Sequence, residues 1–202
     1  MFVAGTPYQL FNVGLRLTRL YCPNVTHLNI SGCGLVSNQM LELLDQEEEL
    51  RGGDKKLQVP TCLKSLIMLT YYEDTDQVQT CKEKLLLEIL QNSHDLECVS
   101  LEGNFSTFFN DSFLCRVMRK NLLTKLRILD IRGRPNNQSV PMTMDSAKLL
   151  VNLPNIQILR MNGWNVTDDQ FEHLKAHIKS KGWNLMLTKR AQVNVDVGIG
   201  MP

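Results

Sequence analysis

Two stretches of this chain carry residue types that could do chemistry. In His173-Leu-Lys-Ala-His177 two imidazoles lie four residues apart. On a helix that spacing puts both on one face, within reach of a single metal ion. The glutamate that serves as general base in HExxH metalloproteases is absent, so the pair reads as a solvated helix face. Ser93-His94-Asp95 has the residue types of a nucleophile, a base and an orienting acid. Such triads are assembled in space, and three consecutive residues fit a turn better. Cysteines stand at 22, 33, 62, 81, 98 and 115 without any CxxC spacing. Several fall inside apolar patterns, which predicts reduced thiols buried in the core over disulfides or a metal site. No Gly-rich phosphate loop or dinucleotide fingerprint occurs. The expectation is a protein that catalyses nothing and uses no cofactor.

Between Arg116 and Arg134 lie seven basic residues (Arg116, Arg119, Lys120, Lys125, Arg127, Arg132 and Arg134) and one acid, Asp130. This stretch offers a secondary reading, local binding of RNA or an acidic partner. Against nucleic acid, no aromatic set interleaves with it, and the whole chain has a net charge of only +1. Wholesale binding to nucleic acid or an anionic membrane needs more positive charge than that. Apolar runs such as Leu66 to Leu69 are too short to span a bilayer, and the first residues lack the basic and apolar regions of a secretory leader. A cytoplasmic or nuclear protein is expected. Six N-x-S/T sequons, at Asn24, Asn29, Asn104, Asn110, Asn137 and Asn165, pull toward an extracellular setting. Turn and helix-cap roles offer another account of them, as in Thr167-Asp168-Asp169-Gln170, which has capping-box spacing.

The elements that position these residues come from internal repetition. Five segments overlay on L-x-x-L-x-L-x-G, starting at Val25, Leu63, Leu96, Leu126 and Ile156, which are 38, 33, 30 and 30 residues apart. Gly fills the eighth place in four of them and Thr70 in the other. The fourth and sixth positions point inward on a short strand, the third, fifth and seventh point the other way, and Gly permits the turn that follows. Helix-like spacing follows each strand: Met40-Leu41-Leu43-Leu44, Val78-Cys81-Leu85-Ile89, Phe113-Val117-Met118, Ala147-Leu150 and Phe171-Leu174-Ile178. A strand and a helix cannot bury their own apolar faces, so each unit needs its neighbours. The fold class expected is α/β, a leucine-rich-repeat solenoid or horseshoe with a parallel concave sheet and convex helices. A doubly wound sheet would instead need strands apolar on both faces.

The solenoid is expected to fill residues 1–190. Its first repeat, ending in Val3-Ala4-Gly5 and followed by Thr6, Pro7, Leu10, Val13, Leu17 and Leu20, reads as truncated. Asp45 to Lys56 reads as a helix extension and a Gly52-Gly53 loop. Trp183-Asn-Leu185-Met-Leu187 reads as a closing edge strand whose exposure Lys189 and Arg190 would blunt. Residues 191–202 read as a flexible tail.

Cys22-Pro23-Asn24-Val25 before a strand, Asn29-Ile30-Ser31-Gly32-Cys33 at its end and the echo in Leu153-Pro154-Asn155-Ile156 resemble the repeats of F-box/LRR proteins, within the ribonuclease-inhibitor-like leucine-rich-repeat superfamily. The resemblance runs at repeat level along nearly the whole chain. It implies a protein-recognition module that selects the substrate of a cullin-type ubiquitin ligase, with the ligase adaptor docked by a region N-terminal to these residues. A structural scaffold or receptor-type repeat is the alternative.

The partner is expected on the strand side, at His27, Asn29, Ile67, Leu69, Ser100, Glu102, Ile128, Asp130, Arg132, Ile158, Arg160 and Asn162. There Ile67, Leu69, Ile128 and Ile158 would line up across strands as an apolar strip flanked by charge, with Arg132 and Arg160 as anchors. As outward positions, Ile128 and Arg160 should be replaceable by alanine without loss of fold.

Overall fold

The computed structural model describes residues 22, 24–29, 31, 61–70, 76–103, 108–133 and 140–189, with 70 and 76–82 described by their backbone alone. Expectations for residues 1–20, 32–33, 40–56, 104, 134 and 191–202 lie outside the described residues. Strands and helices are β1 (His27–Asn29), β2 (Ser65–Thr70), α1 (Asp76–Asn92), β3 (Cys98–Gly103), α2 (Asp111–Met118), β4 (Ile128–Arg132), α3 (Met144–Val151), β5 (Ile158–Arg160), α4 (Asp168–Ser180) and β6 (Met186–Thr188). β1 to β5 fall on the five repeat segments and β6 on the expected closing strand. All pairings are parallel, and the sheet runs β1-β2-β3-β4-β5-β6, open and in chain order. That order never reverses, so the crevice at which doubly wound sheets bind ligands does not form.

The repeat template explains the core. Its first, fourth and sixth positions are buried in every described unit: Val25 and Leu28; Leu63, Leu66 and Met68; Leu96, Val99 and Leu101; Leu126, Leu129 and Ile131; Ile156, Leu159 and Met161. Equivalent positions stack strand on strand, as in Leu66–Val99–Leu129–Leu159–Leu187. Burying each such side chain contributes roughly 1.5–3 kcal/mol. The helices deliver their apolar stripes to this same core: Leu85, Leu86, Ile89 and Leu90 from α1, Phe113, Leu114 and Val117 from α2, Ala147, Leu150 and Val151 from α3, and Phe171, Leu174 and Ile178 from α4. Adjacent helices also touch, so sheet and helices form two layers with one core between them. Among the described residues no helix is long and apolar enough to cross a membrane.

Local chemistry sets where the elements start and stop. Asn110 caps α2, its side chain accepting from the Phe113 N–H, and Thr143 caps α3. Thr167 and Gln170 form the capping box read from the sequence at the start of α4. The sequons at Asn29, Asn110 and Asn165 thus have local roles: Asn29 Oδ1 accepts from Ser31, Asn110 caps a helix, and the third residue of the last sequon is Thr167. At the eighth repeat position Gly103 and Gly163 take φ of 73° and 81°, the left-handed turn for which glycine is suited. Gly133 does not; its N–H reaches the Asn162 carbonyl (3.4 Å).

Polar side chains tie each unit to the next. Trp164, buried, donates from Nε1 to the Ile131 carbonyl (3.0 Å). Gln91 Nε2 reaches the Arg116 carbonyl (2.7 Å). Asn121, also buried, donates to the carbonyls of Leu90 (2.7 Å) and Ser93 (3.0 Å) and accepts from the Leu123 N–H (3.0 Å). Asp111 at the head of α2 accepts from Thr143 N–H (3.0 Å) and Thr143 Oγ1 (2.7 Å), and from the Ser146 hydroxyl, at the head of α3. Burial raises the Asp111 carboxyl, but the hydrogen bonds from Ser146 and Thr143 together outweigh it and hold its pKa below the ordinary carboxylate value. A lowered folded pKa gives stability that is present above the unfolded pKa and is lost as pH falls through the folded one. Asp111→Ala is therefore expected to cost about 1 kcal/mol at pH 7, allowing for partial exposure. The difference from wild type should close as pH falls below about 4. Urea midpoints at pH 7 and pH 3 check this; a deficit of equal size at both would remove the carboxylate from the account.

The cysteines correct an expectation. Cys62 and Cys115 are exposed, Cys22 and Cys98 are half-buried, and no disulfide joins these four. Parity decides this: Cys98 stands at an outward strand position, and Cys115 follows the buried Leu114 onto the outer side of its helix. Cys33 and the Cys81 side chain lie outside the described residues.

Candidate functional site

Parallel register turns the outward strand positions into rows that run across the sheet. The first row is His27, Ser65, Cys98, Ile128, Ile158 and Met186. The second is Asn29, Ile67, Ser100, Asp130, Arg160 and Thr188. Leu69, Glu102 and Arg132 begin a third. His27, Arg160 and Met186 are exposed, and the other residues of these rows, apart from Asp130, are half-buried.

The apolar strip is differently composed from the one expected. Ile128 and Ile158 are direct partners, but Ile67 and Leu69 fall in the second and third rows, where Ser100 and Glu102 separate them from β4. Cys98 and Met186 take the vacated ends, so the strip is Cys98–Ile128–Ile158–Met186. Burial pushes the Cys98 thiol up, more than its hydrogen bond with Ser65 draws it down, which leaves it a protonated and weakly reactive group at neutral pH. Met186 was within reach of sequence reasoning, had the alternation been carried into the closing strand.

A second correction concerns Asp130, which is only 2 % exposed although it stands at an outward position. Two arginines cover it. Arg160 Nη1 donates to Oδ2 (2.9 Å), and Arg132 Nε lies 3.0 Å from Oδ1 in poor hydrogen-bond alignment. Arg132 Nη2 continues to Glu102 (3.1 Å). The result is a charge ladder, Glu102–Arg132–Asp130–Arg160, along the second and third rows. Arg160, exposed as expected of an outward position, also supplies a cation to a buried carboxylate. Asn29 is likewise engaged locally, by the Ser31 N–H (3.0 Å) and hydroxyl (2.6 Å).

Beyond the ladder a groove of about 610 Å³ opens, lined by Arg132, Arg160, Asn162, Phe171, Lys175, Leu187, Thr188 and Lys189. Lys175 packs over the Phe171 ring (4.8 Å) and pairs with Glu172 (2.7 Å), while Lys189 pairs with Asp168 (2.8 Å). Lys189, expected merely to blunt the sheet edge, also bonds the Val166 carbonyl. No strand pattern could have brought the two lysines to the arginines, because α4 supplies one and the end of β6 the other.

The remaining motifs resolve into ordinary contacts. His173 and His177 are both exposed, and the His177 ring meets Trp183 edge-on (5.7 Å). Ser93-His94-Asp95 lies at a turn, with Asp95 directed to Lys125 (2.5 Å). In the basic stretch, Arg116 pairs with Glu83 on the helix layer, Arg127 with Glu97 (3.7 Å) at the start of the strands, and Arg132 with Glu102 on the sheet. These cations thus sit in separate places, each beside an acid. Among the described residues no group of three or more His, Cys, Asp or Glu side chains could hold a metal ion. Comparison with known proteins gives no match, whether to a family model, a curated protein or a solved structure.

Proposed function

We propose that the chain is a leucine-rich-repeat solenoid that binds a protein partner on its outward sheet face, the concave side in such a fold, and catalyses nothing. The observation that carries this reading is the in-register apolar row Cys98–Ile128–Ile158–Met186, half-buried to exposed, which runs directly beside the charged Asp130 and Arg160. All-parallel sheets are ordinarily covered on both faces. Apolar anchors flanked by charged groups are the usual build of a protein interface.

The pair Ile128→Asp and Ile158→Asp tests it, because neither side chain belongs to the core or to the charge ladder. Affinity capture with the wild type and this variant, compared quantitatively, should show at least about a tenfold loss of the partner from the variant. Urea unfolding should find the variant still cooperatively folded at a cost of about 2 kcal/mol, since two carboxylates then face each other across β4 and β5. Full retention of every wild-type partner would move the interface off the sheet. The likeness of the repeats to F-box/LRR proteins extends this reading to a substrate receptor of a cullin-type ubiquitin ligase. Under that extension the captured partners should accumulate when the proteasome is inhibited. A single stoichiometric partner indifferent to the inhibitor would favour the scaffold reading.

A further inference from the structure

The groove at the end of the charge ladder is lined by four cationic side chains, Arg132, Arg160, Lys175 and Lys189, and by no acidic one. The acids that meet these cations are Asp130, Glu102, Asp168 and Glu172. Asp130 and Glu102 lie beneath the arginines, with side chains only 3 % and 12 % exposed, so a ligand meets guanidinium there and not carboxylate. Glu172 stands out in solvent and its pair with Lys175 is exposed on both sides, so it exchanges readily with other partners. Lys189, only 15 % exposed, stays with Asp168 and the Val166 carbonyl. Arg160 gives one Nη to Asp130 and keeps its other donors, with its side chain 44 % exposed into the groove.

We propose that this groove takes an acidic segment of the protein partner, its carboxylates set against Arg160, Arg132 and Lys175. The proposal rests on the protein-recognition reading above and names the chemistry of what is recognised. Three observations support it. The four cations converge from β4, β5, α4 and the end of β6 on one space whose volume lies in the usual range of ligand clefts, roughly 300–1,000 Å³. Arg160 and Thr188 are the next outward residues after Ile158 and Met186 along their strands, so the groove is continuous with the apolar row. Phe171 is buried beneath Lys175 and offers no open ring face on which a base could stack, so the site favours peptide over nucleic acid.

Fluorescence polarisation with a labelled oligoglutamate peptide, its oligoglutamine counterpart and an oligouridylate tests this on the full chain. Wild type should bind oligoglutamate, more weakly as salt rises, and should not bind oligoglutamine. Lys175→Glu, an exposed change at a side chain that pairs with Glu172 and not with Asp130, should weaken that binding by about tenfold or more. Lys120→Glu, exposed on the helix layer, should leave it unchanged, and circular dichroism should show both variants folded. Three results would overturn the proposal: no oligoglutamate binding by wild type, equal loss in the two variants, or tighter binding of oligouridylate with the same sensitivity to Lys175→Glu. If one of these occurs while the isoleucine pair still abolishes partner capture, the groove assignment alone falls. Partner capture that ignores the isoleucine pair removes the recognition reading itself, whatever the peptide does.

Discussion

Asn121→Ala should lower the unfolding free energy by about 3 kcal/mol, read as a shift of the urea midpoint at unchanged m value. One buried amide here serves three backbone groups: the carbonyls of Leu90 and Ser93 in the preceding unit and the N–H of Leu123 in its own. Each buried backbone group left without a partner costs about 1–3 kcal/mol, partly offset where water can enter the space left behind. The third bond matters beyond its own strength, because Leu123 holds a φ of +53°, a left-handed conformation that a leucine adopts only when its surroundings impose it. Asn121→Asp should be at least as damaging as Ala. It keeps the acceptor toward Leu123 but sets a carboxylate against two carbonyl oxygens. A midpoint within 1 kcal/mol of wild type for either variant would mean that other groups satisfy this corner.

Replacing both arginines over Asp130 by methionine should cost about 2–3 kcal/mol, and removing the carboxylate as well should recover most of it. Arg132 and Arg160 are partly solvated, so their own attraction to Asp130 is screened and counts for little. What makes the double change costly is the anion left with no cation beside it, under methionine side chains long enough to keep covering it as the arginines do. Arg132→Met/Arg160→Met should therefore be markedly less stable than the triple variant carrying Asp130→Leu in addition. Replacing a buried charge cluster wholly by apolar groups is often neutral or stabilising. Equilibrium urea unfolding of the three proteins decides it. A triple variant no more stable than the double would show that burial of Asp130 is not the source of the cost.

The sequence displays the inward half of this molecule plainly and the outward half only in outline. The template places Leu66, Val99, Leu129 and Leu159 in the core because an alternating strand with one buried face admits no other phase. The outward positions follow from the same parity, yet their surroundings do not. Asp130 becomes buried only because residues two and thirty positions away fold over it, a matter of side-chain reach that spacing does not encode. Ile67 and Leu69 read as companions of Ile128 until register assigns them to other rows. For Cys98 and Cys115 the general habit of cysteine to be buried pointed one way and local parity the other, and parity decides. Lys175 reaches the groove from a helix, where no strand repeat could point to it.

Strand order equal to chain order has one last consequence, for how such a surface changes over generations. Each unit contributes one column of outward residues to the sheet, held in place by leucines that take no part in the column. A column can accordingly be rewritten residue by residue while the fold is inherited intact, much as type is reset in a fixed frame. The columns of β4 and β5 break that independence: Asp130 in one is tolerable only beside Arg160 in the next. Substitutions of Asp130 and Arg160 should be accepted together or not at all, whereas Ile128 and Ile158, one row away, answer to the partner and not to the fold.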